Sequence, residues 1–254
     1  MKIVIKVGTQ SILATDAKPD EGILSAIIDR IIAMQREGHH VWLVSSGAVG
    51  SGRYIAKQIQ NREYGSSLEE KQLLASVGQH ELMTLYSSLS QKYGVLVSQL
   101  LLSKQDFNTR KNRQNVTRLL QTISAHGDII PVINENDTIA TKELMFTDND
   151  ELAGLIAMLV NADKLLLLTN VDGVYRSDMK TLIDTIDPSE GEIKVSKAAS
   201  AGGRGGMASK LTTARKASDA GIMVHIMSIK NIVNLDKILA GERYGTTVLP
   251  RKSQ

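Results

Sequence analysis

Two lysines, far apart in the chain, stand where a phosphate could be met. Lys6 follows the apolar run of residues 3–5 and precedes Val7-Gly8-Thr9. Lys210 closes a glycine-rich run, Gly202-Gly203-Arg204-Gly205-Gly206-Met207-Ala208-Ser209-Lys210. Between them lie two clusters of acids and amides, Asn134-Glu135-Asn136-Asp137 and Asp148-Asn149-Asp150. Ammonium groups at both ends with carboxylates between suit phosphoryl transfer, in which positioning and charge neutralisation do most of the catalysis. A kinase of a small anionic substrate is the leading reading.

Each glycine segment has a competing explanation. Residues 45–52 read Ser-Ser-Gly-Ala-Val-Gly-Ser-Gly. Their glycines fall at relative positions 0, 3 and 5, whereas a dinucleotide fingerprint needs 0, 2 and 5. Val44 occupies the first glycine position of a G-x-S-x-G elbow around Ser46, which removes that motif as well. What remains is a strand running through two hydroxyls and Gly47 into a helix N-terminus, where free N–H groups can hold a carboxylate. A serine-capped turn of small residues explains the same positions. Residues 202–210 are not a P-loop, because Leu211 follows the lysine and no clear strand precedes it. They offer close backbone approach to phosphates, or form only a surface loop. Asp148 can cap a helix, with Asp150 and Glu151 favourable in its first turn. The cluster from Asn134 to Asp137, which ends an apolar strand, has no such structural account.

The elements that must carry these residues are legible as an alternation. Predominantly apolar runs at 3–7, 41–44, 95–101, 129–133, 164–169 and 222–226, without regular in/out alternation, predict strands buried on both faces. Amphipathic stretches at roughly 20–37, 69–92, 112–126, 149–161, 207–220 and 231–240 predict the helices between them. This pattern predicts an α/β three-layer sandwich, with a mainly parallel central sheet covered by helices on both faces. Lys6, Ser46 and Asn134 all fall at carboxyl ends of strands, where open α/β sheets bind ligands. Residues 138–146 suggest a small hairpin, and 172–200 suggest short strands and turns. With no internal repeat or linker, residues 1–254 read as a single domain.

Bulk properties remove other classes. Of 254 residues, 42% are hydrophobic, enough for a sizeable core, and no cysteine is present for disulfides or thiolate metal sites. A reducing cytoplasm is the expected compartment. A net charge of +3 and 4% aromatics give little support for a nucleic-acid surface. The five histidines show no ligand spacing, so no protein-held metal site is expected. No leader and no apolar run of about 20 residues is found, so no membrane partner is expected.

The motifs together resemble those of the glutamate 5-kinases (γ-glutamyl kinases) of the amino-acid kinase family. The likeness runs from Val4-Ile5-Lys6-Val7-Gly8-Thr9 to Gly245-Thr246-Thr247-Val248-Leu249. Its most specific parts are residues 131–137, Pro-Val-Ile-Asn-Glu-Asn-Asp, and 148–152, Asp-Asn-Asp-Glu-Leu; residues 44–48, 71–79, 167–170 and 205–210 also match. The resemblance implies ATP- and Mg²⁺-dependent phosphorylation of the L-glutamate side-chain carboxylate, the first step of proline biosynthesis. It implies that Lys6 and Lys210 stabilise the transferring phosphoryl group and that Asp150 holds both ammonium groups in register. It places glutamate against Ser46, Gly47, Asn134, Asp137, Asp148 and Asn149. ATP would lie against Lys6, Gly8, Thr169, Asn170, Arg204, Gly205, Gly206, Met207, Ala208, Ser209 and Lys210. In this scheme the N-terminal half mainly serves glutamate and the C-terminal half mainly ATP.

By the same resemblance, proline would inhibit through the glutamate pocket, involving a polar loop near 53–68. A glutamyl phosphate reductase is a candidate partner, and a homodimer or homotetramer is expected. Many relatives carry about a hundred further residues forming an RNA-binding-like (PUA) domain; this chain stops at Gln254, so that domain is expected to be absent. Thr147 and Arg204 stand where relatives often have Gly and Thr. Two other readings stay open: a family member acting on another small acid or a phosphate-bearing substrate, and a non-catalytic nucleotide sensor. Both lysines together with Asp150 disfavour the sensor.

Overall fold

The computed structural model describes residues 1–139, 141, 145–178, 180–188 and 206–251. Among them, the strands are β1 (Lys2–Val7), β2 (His40–Ser45), β3 (Leu96–Leu102), β4 (Ile129–Glu135), β5 (Lys164–Thr169), β6 (Thr185–Ile186), β7 (Met223–Ser228) and β8 (Thr246–Val248). They form one sheet in the order β3-β4-β2-β1-β5-β7-β8-β6. All neighbours pair in parallel except β7 and β8, which are antiparallel. The chain order reverses around β1, which has β2 on one side and β5 on the other. Such a switch point opens a crevice at the carboxyl ends of the strands.

Strand alternation decides what lies on each face. In β1, Ile3, Ile5 and Val7 join a cluster with α2 (Glu21–Arg36), α4 (Leu68–Gln91) and α8 (Leu235–Leu239), through side chains such as Leu24, Ile28, Leu82 and Leu235. Val4 points the other way, into a cluster built on α5 (Arg110–Ala125), α6 (Asn149–Val160) and α7 (Met207–Asp219), through Leu120, Leu152, Ile156 and Ala217. Each fully buried Leu or Ile contributes about 1.5–3 kcal/mol, set against the cost of ordering the chain. Lys6 has the parity of Val4. It therefore leaves the sheet on the α6 side, and this places the first functional group.

Helix starts follow local chemistry. Asp20 accepts from Ile23 N at 3.0 Å, Thr109 from Asn112 N at 3.1 Å, and Ser67 with Glu70 forms a reciprocal capping box ahead of α4. Three other helices start differently. The short α1 (Thr9–Ile12), α3 (Ala48–Gln60) and α7 begin on Gly8, Gly47 and Gly206, with no side-chain cap. Their first N–H groups are left for other partners.

The expected strands and helices are found with small shifts in their ends, and three details differ. The stretch 53–68 is not mainly a loop: α3 continues to Gln60, and only residues 61–67 connect it to α4. The stretch 231–240 divides into a 3₁₀ turn, Ile229–Asn234, and the short α8. Of the expected hairpin, the described residues form turns, with Ile139 N donating to Asn136 O and Met145 N to Thr141 O. Residues 140 and 142–144 lie outside the described residues, as do 179 and 189–205 in the irregular region. The described part of that region contains β6 and a Tyr175–Leu182 bridge.

Candidate active site

The charged centre is built at the start of α6. Asp148 caps that helix, its Oδ1 accepting from Asp150 N at 2.8 Å and Glu151 N at 3.0 Å. The cap turns Asp150 inward, where it is completely buried. Lys6 Nζ lies 2.6 Å from Asp150 Oδ1, and Lys210 Nζ lies 2.9 Å from Asp150 Oδ2. Lys210 arrives because α6 and α7 touch closely one turn further along. A Cβ on Gly154 would stand 2.8 Å from Thr213 Cγ2, so a larger residue there would have to displace the Thr213 side chain. Asp150 is four residues before Gly154 and Lys210 three before Thr213, so one helix contact sets the register of the ion contact.

Two buried lysines share one carboxylate, and the buried Asp148 carboxylate is close enough to act on Lys6 as well. Burial pushes the Lys6 ammonium below the ordinary lysine value of 10.5; Asp150 opposes that shift and the Lys210 charge adds to it. Removing one partner from such a set costs about 3–5 kcal/mol, because the remaining charge stays buried.

Beside this centre is a network of neutral groups. Asn134, at the end of β4, donates from Nδ2 to Gln79 Oε1 of α4 at 2.8 Å and accepts at Oδ1 from Glu135 N at 2.8 Å. Asn149 Nδ2 lies 2.8 Å from Asn134 Oδ1, 2.8 Å from Ser46 Oγ and 3.3 Å from the Ser45 carbonyl. Behind them, the Tyr86 hydroxyl is 2.9 Å from Ser45 Oγ, and Ser45 Oγ donates to Ser46 O at 3.2 Å. Burial pushes the Tyr86 phenol up to about 12, so it stays a neutral donor. Two oxygens here are buried without a protein partner among the described residues, Asn149 Oδ1 and Asp148 Oδ2. Buried acceptors of this kind are where a ligand donor is expected.

The other sequence-derived residues are placed as follows. Gly8 starts α1, and its ideal Cβ would stand 3.5 Å from Lys6 Nζ, so it borders the charged centre. Gly47 starts α3 next to Ser46. Thr169 ends β5, with Oγ1 3.4 Å from Asn170 Oδ1, and Asn170 Nδ2 donates to Gln10 Oε1 at 3.3 Å. Gly206 starts α7, its carbonyl accepting from Ser209 N and Lys210 N, and Met207, Ala208 and Ser209 fill the first turn. Asp137 is half-buried in the turn after β4. Arg204 and Gly205 lie outside the described residues. Sequence reasoning gave no role to Gln79 or Glu135. Glu135 is buried and accepts from Phe146 N at 2.8 Å, which ties β4 to the segment entering α6. Its position beside Asn134 was the available signal; Gln79 closes the matching stretch 71–79, which marked the segment without giving that side chain a role.

Residues 1–228 match the family model described as the amino acid kinase family. The chain belongs to that family. Among curated proteins it is 38% identical over 255 residues to the glutamate 5-kinase of Chlorobaculum tepidum, covering 99% of this chain and 70% of that one. It is 36% identical over 260 residues to the glutamate 5-kinase of Caldanaerobacter subterraneus subsp. tengcongensis, covering 100% and 69%. The fold is similar to a Giardia carbamate kinase, with a TM-score of 0.65 at 17% identity and coverage of 98% and 99%. It is also similar to the UMP kinase of Bacillus anthracis, with a TM-score of 0.62 at 16% identity and coverage of 100% and 97%.

Proposed function

We propose that this chain transfers the γ-phosphoryl group of ATP to the side-chain carboxylate of L-glutamate, giving L-glutamyl 5-phosphate, the first step of proline biosynthesis. The observation that carries this reading is Asp150 bridging Lys6 and Lys210 beside the Ser46–Asn149–Asn134 network. Similarity to glutamate 5-kinases over 99% and 100% of this chain supports the choice of acceptor.

A carboxylate oxygen of glutamate attacks the γ-phosphorus, a new O–P bond forms, and the β,γ-bridging P–O bond breaks to release ADP. The nucleophile is already ionised, so no proton has to be removed. The barrier is repulsion between anions, and Lys6 and Lys210 lower it where charge builds up. Asp150 keeps both lysines aimed at one point. The uncapped N-terminus of α7 and the turn from Gly8 face phosphate oxygens; Thr169 and Asn170 border the nucleotide. Asn149 Oδ1 and Asp137 take the glutamate ammonium, while Ser46 and the amides at Gly47 take its α-carboxylate. The two halves thus divide the work, the N-terminal half mainly holding glutamate and the C-terminal half mainly ATP.

The donor set fits a Mg²⁺ ion that arrives on the triphosphate. Both Asp150 oxygens are spent on ammonium groups, and Asp148 Oδ2 is a buried carboxylate oxygen left to accept from a metal-bound water. When bound, the ion neutralises charge on the phosphates.

Proline inhibition through the glutamate pocket, hand-over of the labile product to a glutamyl phosphate reductase, a homo-oligomeric state and a cytoplasmic location complete the proposal. They rest on the family resemblance. No helix of the described residues is long and apolar enough to cross a membrane. The test is ADP release with glutamate, aspartate, N-acetylglutamate and nucleoside monophosphates, with hydroxylamine present to trap an acyl phosphate. Glutamate alone should give both ADP and hydroxamate; turnover of a nucleoside monophosphate instead would overturn the reading.

A further inference from the structure

We propose that Gln79 is a positioning residue for substrate recognition: through Asn134 it fixes the direction of the Asn149 amide, so that an oxygen rather than a nitrogen meets the substrate ammonium. The inference rests on glutamate being the acceptor and deepens that reading.

A primary amide has nearly the same shape in its two orientations but opposite polarity at its ends. The direction of the network is therefore chemistry, and it can be followed atom by atom. The Glu135 N–H can only donate, so it holds Asn134 Oδ1. The other end of that amide, Nδ2, must then meet an acceptor, and Gln79 Oε1 is there at 2.8 Å. Asn134 Oδ1 also receives Asn149 Nδ2 at 2.8 Å, and the same nitrogen is 2.8 Å from Ser46 Oγ. Asn149 has its nitrogen spent inside the protein, and its buried Oδ1 has no partner among the described residues. That oxygen suits an ammonium and repels a carboxylate.

Asn134 is the pivot, held at its oxygen by Glu135 and at its nitrogen by Gln79. Gln79 is only 7% exposed, so bulk water does not substitute for it readily. Its reach depends on the residue before it. A Cβ on Gly78 would stand 1.8 Å from the Ala48 carbonyl, so only glycine lets α4 lie this close to the first turn of α3. With the Gln79 acceptor gone, Asn134 Nδ2 is left buried and unpaired, and the Asn134 amide keeps only the Glu135 N–H to hold its direction. Asn149, which donates to that loosened amide, is then less firmly oriented, and its N–H₂ group competes with Oδ1 for the place facing the substrate ammonium.

The experiment uses the full chain with Gln79→Met, which keeps shape and loses the acceptor, and Gln79→Glu, which keeps an acceptor. KM is measured for glutamate and ATP, and Ki for glutarate, which has both carboxylates but no ammonium. Gln79→Met is expected to raise the glutamate KM about tenfold while the ATP KM stays within about twofold, the scale of one buried hydrogen-bond partner. Glutarate should bind as before, so the ratio of glutarate Ki to glutamate KM falls by the same factor. In Gln79→Glu that ratio does not fall. If Gln79→Met melts early, Gln79→Leu supplies the same comparison. A loss shared equally by glutamate and glutarate, or an unchanged ratio, overturns the role of Gln79. A wild-type chain that turns over no glutamate overturns the functional reading itself.

Discussion

Asn149 and Asp150 are neighbours in the first turn of α6, yet they belong to two regions built on opposite principles. Asp150 joins a centre of full charges, Lys6, Asp150 and Lys210, all buried. Asn149 joins a network of amides and hydroxyls with Ser46, Asn134 and Gln79, which carries no formal charge. Successive helical residues point about 100° apart, so a single step along the chain separates the two. Charge is strong and indifferent to detail, which suits a phosphoryl group whose charge rearranges during transfer. Amides are weaker but directional, which suits telling one small acid from another. The difference teaches that rate and choice are assigned to different side chains of the same helix turn.

The largest effect that can break this comparison is expected at the shared carboxylate. Asp150→Ala leaves two buried ammonium groups facing each other. It should lower stability by about 3–5 kcal/mol in urea denaturation and abolish measurable turnover. A stable, active variant would remove Asp150 from the centre. Next come Lys6→Ala and Lys210→Ala, each expected to lower kcat roughly 10²–10³-fold in steady-state assays with the glutamate KM little changed.

On the neutral side, Asn149→Ala and Asp137→Ala should raise the glutamate KM by roughly tenfold or more, and the ATP KM far less. An equal rise in both constants would point to collapse of the whole site. Gly78→Ala tests the scaffold beneath the network. The added methyl meets the Ala48 carbonyl, so a loss of about 1–3 kcal/mol is expected by denaturation, together with a raised glutamate KM.

The smallest effect sharpens the contrast through pH. The folded Lys6 pKa lies below its unfolded value of 10.5, chiefly because of burial. In the window beneath 10.5 the unfolded chain binds more protons at this site than the folded chain does. The Lys6 contribution to stability therefore rises with pH there and is lost as pH falls through the folded pKa. Turnover moves the opposite way, since a neutral amine cannot offset phosphoryl charge. Initial rates should decline on the alkaline side before an ordinary lysine titrates, and Lys6→Arg should push that decline to higher pH.

Much of the fold was legible because it depends on burial. Residues 3–5 and 165–168 are uninterrupted apolar runs because both faces of β1 and β5 are covered. Helix α3 was harder to read. It carries Gly50 and Gly52, poor helix formers, and it persists because α4 packs against it at a distance that larger residues would prevent. The two-residue β6 and the three-residue β8 are too short to show a period. At the site, Lys6, Asp150 and Lys210 could be singled out by charge and by their places at strand and loop ends. The direction of the Asn134 and Asn149 amides could not, because it follows from a backbone N–H and a glutamine 55 positions away from Asn134.

The central claim is that the charged centre sets the rate and the amide network sets the choice of substrate. Its most direct test is to measure glutamate affinity by calorimetry and the transfer rate in a single turnover for Lys6→Ala. The account predicts a glutamate Kd within about twofold of wild type and a transfer rate roughly 10²–10³-fold lower. A Kd raised by that factor with an unchanged transfer rate would contradict it.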